Sequence, residues 1–338
     1  SLFENSHHFR ARCETLSEFG IVRRNDSSNI PSKFGKNAPK IMKSSEFIFF
    51  ATFHGNMLQD RKNEIRALLK LTESEVVQKA GKRLRVYSTL DALHKQFAID
   101  IAQEIENNNR LNQSSKFILP VGPVGQYEFL IDIIKTNAIS LENCYFFFMD
   151  EYCDDSGKAV SESHPLSFKG IVNRLFLSKL PESANLNLEH VYFPSEKNIE
   201  ELPKIIDSLG GIDVCFGGIG IHGHIAFNEP EPSVSELSAR KVRLNDFTVT
   251  INAIRANVGG NLECFPREAH TLGMKEILSA NKIMLYCRNG TPYDWANTVL
   301  RIALFAEPDD DYPVSHIRTK EYVITTDEFT LQRPKYLI

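Results

Sequence analysis

From Arg83 onward the chain alternates short apolar runs with segments whose apolar residues recur at helical spacing. Leu84–Tyr87, Phe117–Leu119, Cys144–Met149, Ile212–Phe216, Lys282–Tyr286 and Tyr322–Thr325 predict strands. Runs this continuously apolar belong to strands buried on both faces. Ser88, with Asp91 three residues on, reads as a helix start, and the helix after it should bury Leu90, Leu93, Phe97, Ile101 and Ile105. Strand and helix in alternation predict an α/β fold: a doubly wound, mostly parallel, Rossmann-like sheet flanked by helices in three layers. Ligands in such sheets bind beyond the carboxyl ends of the strands, so the residues that follow each strand carry the functional reading.

The first part of the chain has another texture. Residues 1–82 hold few strand-like runs, and Asn25 to Lys43 contains Pro31, Gly35 and Pro39, as an irregular connection does. Ile65, Leu68, Leu69 and Val76 predict an amphipathic helix near 60–79. The expected organisation is an N-terminal, partly helical extension over 1–82 and an α/β domain over 83–338.

Composition changes this picture little but narrows the partners. With 42% hydrophobic and 24% charged residues, the chain is an ordinary globular protein. A net charge of -4 argues against a sequence-independent hold on nucleic acid, and the basic stretch from Lys79 to Arg85 reads as a solvated helix end. The six cysteines form no Cys-x-x-Cys pair, and several lie in apolar runs, which suits a reducing compartment and gives no zinc site. The first residues lack the basic start and apolar stretch of a signal peptide, and no run reaches the roughly 18 apolar residues of a membrane span. The cytoplasm is the expected location, with no membrane partner.

Two segments after predicted strands carry candidate chemistry. Asp150 and Glu151, in Met149-Asp-Glu-Tyr152, are a carboxylate pair where a general base could approach a sugar; a helix cap or turn acid is the competing reading. Further on, Gly218, Gly220 and Gly223 formally spell the dinucleotide-binding G-x-G-x-x-G. Asn228-Glu-Pro-Glu-Pro232 cannot continue the helix which that motif needs, so the glycines read instead as letting backbone amides approach a ligand oxygen. His222 and His224 would share a side if extended. With Glu229 they fit a metal site, a catalytic histidine oriented by a carboxylate, or a structural loop, and spacing alone leaves all three open.

Met149-Asp-Glu-Tyr152 after a strand, with Gly218-Ile-Gly-Ile-His-Gly-His-Ile-Ala-Phe-Asn-Glu-Pro230 downstream, resembles the glucosamine-6-phosphate deaminase/isomerase family. Pro120 to Tyr127, His164-Pro165 and Thr271-Leu-Gly273 extend the likeness across about 83–330. The Asn-Glu-Pro tail separates this branch from the related 6-phosphogluconolactonases. The resemblance implies that Asp150 moves a proton between C1 and C2 of the opened sugar and that His224 relays the proton that opens the ring. It assigns Glu229 to orienting that histidine. Gly122, Gly125, Gln126, Gly220, Gly223 and Arg255 would hold the sugar phosphate. The implied reaction is an aldose–ketose isomerisation of an amino-sugar phosphate ending in loss of ammonia, without metal or other cofactor, in a self-associating protein.

Three positions depart from the family's pattern. His222 stands where the family has an Asp, and a second imidazole cannot stabilise a charged His224. Val121, Pro123 and Val124 remove hydroxyl and amide donors from the first glycine loop. Thr291 occupies the place of a phosphate-binding lysine, and Lys275 or Arg288 is expected to replace its charge. The alternative these changes favour is a sugar-phosphate sensor or scaffold of the same fold without turnover.

Overall fold

The computed structural model of the protein describes residues 59–290 and 294–338. The chain divides into compact units Ser1–Asn63 and Glu64–Ile338, so the boundary expected at 82 falls inside the second unit. The helix expected over 60–79 is two. One covers 59–69; the other, α1 (Glu73–Ala80), starts afresh where Thr72 and Glu75 form a reciprocal capping box. Val76 and Ala80 of α1 join the main core.

The elements then alternate as expected: β1 (Leu84–Tyr87), α2 (Leu90–Arg110), β2 (Ser115–Leu119), α3 (Gln126–Asn137) and β3 (Cys144–Phe148). After β4 (Asp150–Tyr152) come α4 (Phe168–Leu175), β5 (Val191–Tyr192), α5 (Leu202–Ser208) and β6 (Val214–Gly218). The remainder is β7 (Arg240–Arg243), α6 (Asp246–Arg255), β8 (Glu268–Thr271), α7 (Met274–Ser279), β9 (Lys282–Tyr286), α8 (Ala296–Phe305), β10 (Tyr322–Asp327) and α9 (Glu328–Leu331). Helix α2 is capped by Thr89 rather than Ser88, and Leu90, expected inside, is 37% exposed because it sits in the first turn, outside the buried stripe.

Seven strands form one parallel sheet in the order β1-β10-β9-β6-β2-β3-β5. Its residues alternate strictly between two cores. Phe117, Phe146, Val214, Phe216 and Met284 pack on one face, and Ile118, Phe147, Cys215, Ile283 and Leu285 on the other. That is why the strands read as unbroken apolar runs. A second, antiparallel sheet, β4-β8-β7, stands apart and was not legible in the sequence, because its strands are short and polar. The strand order reverses between β2 and β6, which marks the crevice at their carboxyl ends as the ligand position. Among the described residues no helix is long and apolar enough to cross a membrane.

The closing piece of the fold is Arg301 of α8, fully buried. Its guanidinium donates to the carbonyls of Leu71, Asn297, Leu331 and Gln332 at 3.0–3.3 Å, tying the chain before α1 to the end of α9. Arg301→Met should orphan those carbonyls and lower unfolding free energy by about 3 kcal/mol, a drop measurable as an earlier urea midpoint.

Candidate functional site

A cleft of about 410 Å³ opens at the carboxyl ends of β2, β3, β6 and β9. Its floor begins where the chain crosses from the parallel sheet into β4. Met149 keeps contact with both neighbours: its N–H donates to the Leu119 carbonyl at 3.1 Å and its own carbonyl accepts from Leu272 N–H at 2.8 Å. Asp150 follows and lines the cleft at 6% exposure. Burial, then the neighbouring Glu151 charge, push its carboxyl well above the usual carboxylate range.

Glu151 points the other way, as strand alternation demands. It accepts from Ser167 Oγ at 3.0 Å, Phe168 N at 3.0 Å and Lys169 N at 2.8 Å, holding the start of α4. The tetrapeptide thus contains both of its sequence readings. Asp150 faces the cleft, and Glu151, grouped with it as catalytic, is a helix-anchoring acid outside the cleft. The anchored α4 turns Phe168, Ile171 and Arg174 into the cleft, three residues the sequence did not single out.

Strand β6 ends in a turn rather than an extended stretch. Gly220 N–H donates to the His224 carbonyl and Gly223 N–H to the Gly220 carbonyl, each at 2.9 Å. No helix opens here, which removes the dinucleotide reading. The turn lays the His224 imidazole against Gly220 so closely that any Cβ at 220 would overlap the ring. Gly220 and His224 line the cleft. Burial first, and His222 second, lower His224 to about 3, so it is neutral at ordinary pH. The His222 ring, 6.4 Å away between centroids, lies outside the cleft lining against Phe247. Gly223 is also outside, its carbonyl taken by Val314 N–H at 2.7 Å.

Glu229 does not meet His224. Its Oε2 accepts from Asn245 N at 2.7 Å, while its Oε1 and His224 Nδ1 are both buried without a hydrogen-bond partner. The carboxylate–histidine contact implied by the resemblance is therefore absent, because the Asn228–Pro230 bend carries Glu229 toward α6. Among the described residues no three His, Cys, Asp or Glu side chains converge as metal ligands would.

Part of the cleft lining is cationic. Arg255 and Arg288 both line it. The Arg255 guanidinium lies 3.8 Å over the Trp295 ring and 3.1 Å from Asp294, and burial, then Arg288, lower its pKa. A Cβ at Gly290 would come within 2.6 Å of that guanidinium and displace it. Trp295, the chain's single tryptophan, was missed because a lone aromatic carries no pattern; its Nε1 also donates to the Ile219 carbonyl at 3.1 Å. Thr291 lies outside the described residues. Lys275 is exposed on α7 and away from the cleft, so of the two expected replacement cations only Arg288 is in place. In the first glycine loop Gly122 lines the cleft, whereas Gly125 and Gln126 sit behind it. Gln126 is buried, and its Nε2 donates to the Pro123 carbonyl at 2.7 Å, closing the loop.

No protein-family model matches the chain. Solved structures share its fold: a monomeric glucosamine-6-phosphate deaminase superposes at a TM-score of 0.64 with 24% identity, covering 73% of this chain and 98% of that one. A 6-phosphogluconolactonase from Shewanella baltica reaches a TM-score of 0.52 at 17% identity, covering 72% and 97%. The fold is thus the one that these sugar-phosphate enzymes share. Sequence narrows it further. The glucosamine-6-phosphate deaminase of Borreliella afzelii is 33% identical over 208 residues, 60% of this chain and 75% of that protein. That of Phocaeicola vulgatus is 32% identical over 219 residues, 61% and 77%. The chain belongs to the glucosamine-6-phosphate deaminase family.

Two outcomes test the electrostatics. A carboxyl raised by folding keeps its proton after the unfolded chain has lost it, so it reduces stability from about pH 4 upward. Asp150→Asn should therefore melt about 2–4 °C above wild type at pH 7.5, a gap that closes as pH falls toward about 4. His222→Asp supplies a nearby anion in place of an imidazole and should move the His224 NMR titration to higher pH.

Proposed function

We propose that the chain opens and isomerises an amino-sugar phosphate, converting glucosamine 6-phosphate or a close analogue to the ketose phosphate with hydrolytic release of ammonia. The observation that supports it is the arrangement in one cleft: a buried acid, a buried neutral imidazole and two guanidiniums. Neutral His224 can take the C1 hydroxyl proton and deliver it to the ring oxygen, opening the pyranose. Asp150, once ionised, takes the C2 proton and returns it to C1. The resulting ketimine adds water and loses ammonia. Arg255 and Arg288 suit a phosphate dianion, whose binding offsets their mutual repulsion. Self-association belongs to this reading through the resemblance alone; the solved deaminase of similar fold is described as monomeric.

A second reading, binding without turnover, is favoured by one observation. His224 has no carboxylate partner, since Glu229 is engaged by Asn245 and position 222 is an imidazole. Incubation of glucosamine 6-phosphate and galactosamine 6-phosphate with the protein in deuterated water, at pH from about 5 to 9, separates the two readings. Deuterium at C1 with ammonia release is expected, lost by at least about 10²-fold in Asp150→Asn. Binding with no exchange anywhere in that range would leave only the non-catalytic reading.

A further inference from the structure

The reassigned Glu229 has a consequence for the cationic end of the cleft. Helix α6 runs from the amide that Glu229 holds to Arg255, and Ile251, Asn252 and Arg255 all line the cleft. At its start Asn245 is the N-cap, its Oδ1 accepting from Thr248 N at 2.9 Å while its own N–H is held by Glu229 Oε2. Few large side chains anchor its inner face. Its buried inner residues are small, Thr248, Val249 and Ala253, while Phe247 and Ile254 are 67% and 56% exposed. The Asp246–Arg267 ion pair is largely solvated and holds weakly. Further polar ties add to this: the Thr248 side chain lies beside the Glu229 carboxylate at the start, Asn252 Nδ2 donates to Tyr152 Oη at 3.1 Å, and Arg255 Nη2 donates to Asp294 Oδ2 at 3.1 Å.

Ten residues of helix span about 15 Å, so a tilt of roughly 4° about the start moves the far end by about 1 Å. An error of that size is enough to spoil a bound geometry. The Arg255 guanidinium is closely placed, 3.8 Å over the Trp295 ring and beside the backbone of Gly290. We infer that Glu229 is a positioning residue for the anion end of the cleft: its bond to the Asn245 amide sets the tilt of α6 and so the place of the Arg255 guanidinium. This rests on the reading of Arg255 and Arg288 as the phosphate site. It predicts that what matters at 229 is a hydrogen-bond acceptor, where a partner of His224 would need a charge.

The backbone permits a clean test. Asn245 has φ -73° and ψ 162°, an extended conformation that proline adopts without strain. Asn245→Pro deletes the amide donor and leaves the Glu229 carboxylate; Asn245→Ala removes only the side-chain cap and serves as its reference. Calorimetric titration with glucosamine 6-phosphate should show Glu229→Ala, and Asn245→Pro relative to Asn245→Ala, each binding about tenfold more weakly. The double variant should be no weaker than either, as expected for two ends of one bond. Glu229→Gln, which keeps the acceptor, should stay within about threefold of wild type. Asn245→Pro binding as well as Asn245→Ala, or Glu229→Gln binding as poorly as Glu229→Ala, would overturn the assignment. If wild type and Arg255→Ala bind alike, the phosphate reading fails by itself. Amide exchange over 246–255 then still decides: faster in Glu229→Ala and Asn245→Pro but not in Glu229→Gln supports positioning, and unchanged exchange overturns it.

Discussion

The crossing from β3 to β4 is the constraint on which the site depends. At Phe148 the chain is still in the parallel sheet, and two residues later it is paired antiparallel with β8, Asp150 opposite Thr271. A strand that changes sheets keeps its two-residue alternation. Consecutive acids therefore must face opposite ways. One enters the cleft at a large desolvation cost, and the other is buried behind it with four hydrogen-bond donors. The second arrangement makes the first tolerable. Glu151 fixes α4, α4 closes one wall of the cleft, and that wall keeps Asp150 out of water.

The turn after β6 works by similar exclusion. Gly220 is absent of side chain because His224 occupies that space, and the imidazole is thereby sealed from solvent. A sealed imidazole without a carboxylate stays neutral over a wide pH range. Neutrality suits accepting a proton from a sugar hydroxyl, but it leaves the charged intermediate state poorly supported. His222 aggravates this, since it also disfavours positive charge at His224.

The parallel sheet was legible because burial on both faces writes continuous apolar runs into each strand. Strand limits at Leu84–Tyr87 and Lys282–Tyr286 coincide with those read from the sequence. The small sheet was not legible, since Arg240–Arg243 is short, charged and half exposed, and Glu268–Thr271, though largely buried, is only four residues with no apolar run. Within the site, Asp150, His224, Gly122, Gly220, Arg255 and Arg288 were reachable from position after a strand together with resemblance. Glu151, Glu229, Gln126 and Lys275 were misplaced because proximity in sequence does not fix direction. A carboxylate one or five residues from a reacting group can serve a helix start just as well, and here two of them do.

Those two acids share a logic that links fold to site. Each of α4 and α6 carries an arginine toward the cleft and begins at an amide held by a glutamate, buried at 151 and half-buried at 229. A carboxylate at a helix start is favoured by the exposed amides and the helix dipole, and that compensation is what allows an acid to be buried there. The motif residues Glu151 and Glu229 can thus be necessary for the site without touching a ligand. The cations at the other ends then meet little opposing charge: Asp294 partly offsets Arg255, and Arg174 lines the cleft while exposed. An anion entering between them gains from guanidiniums already held in place, so ordering costs are met by folding rather than by binding.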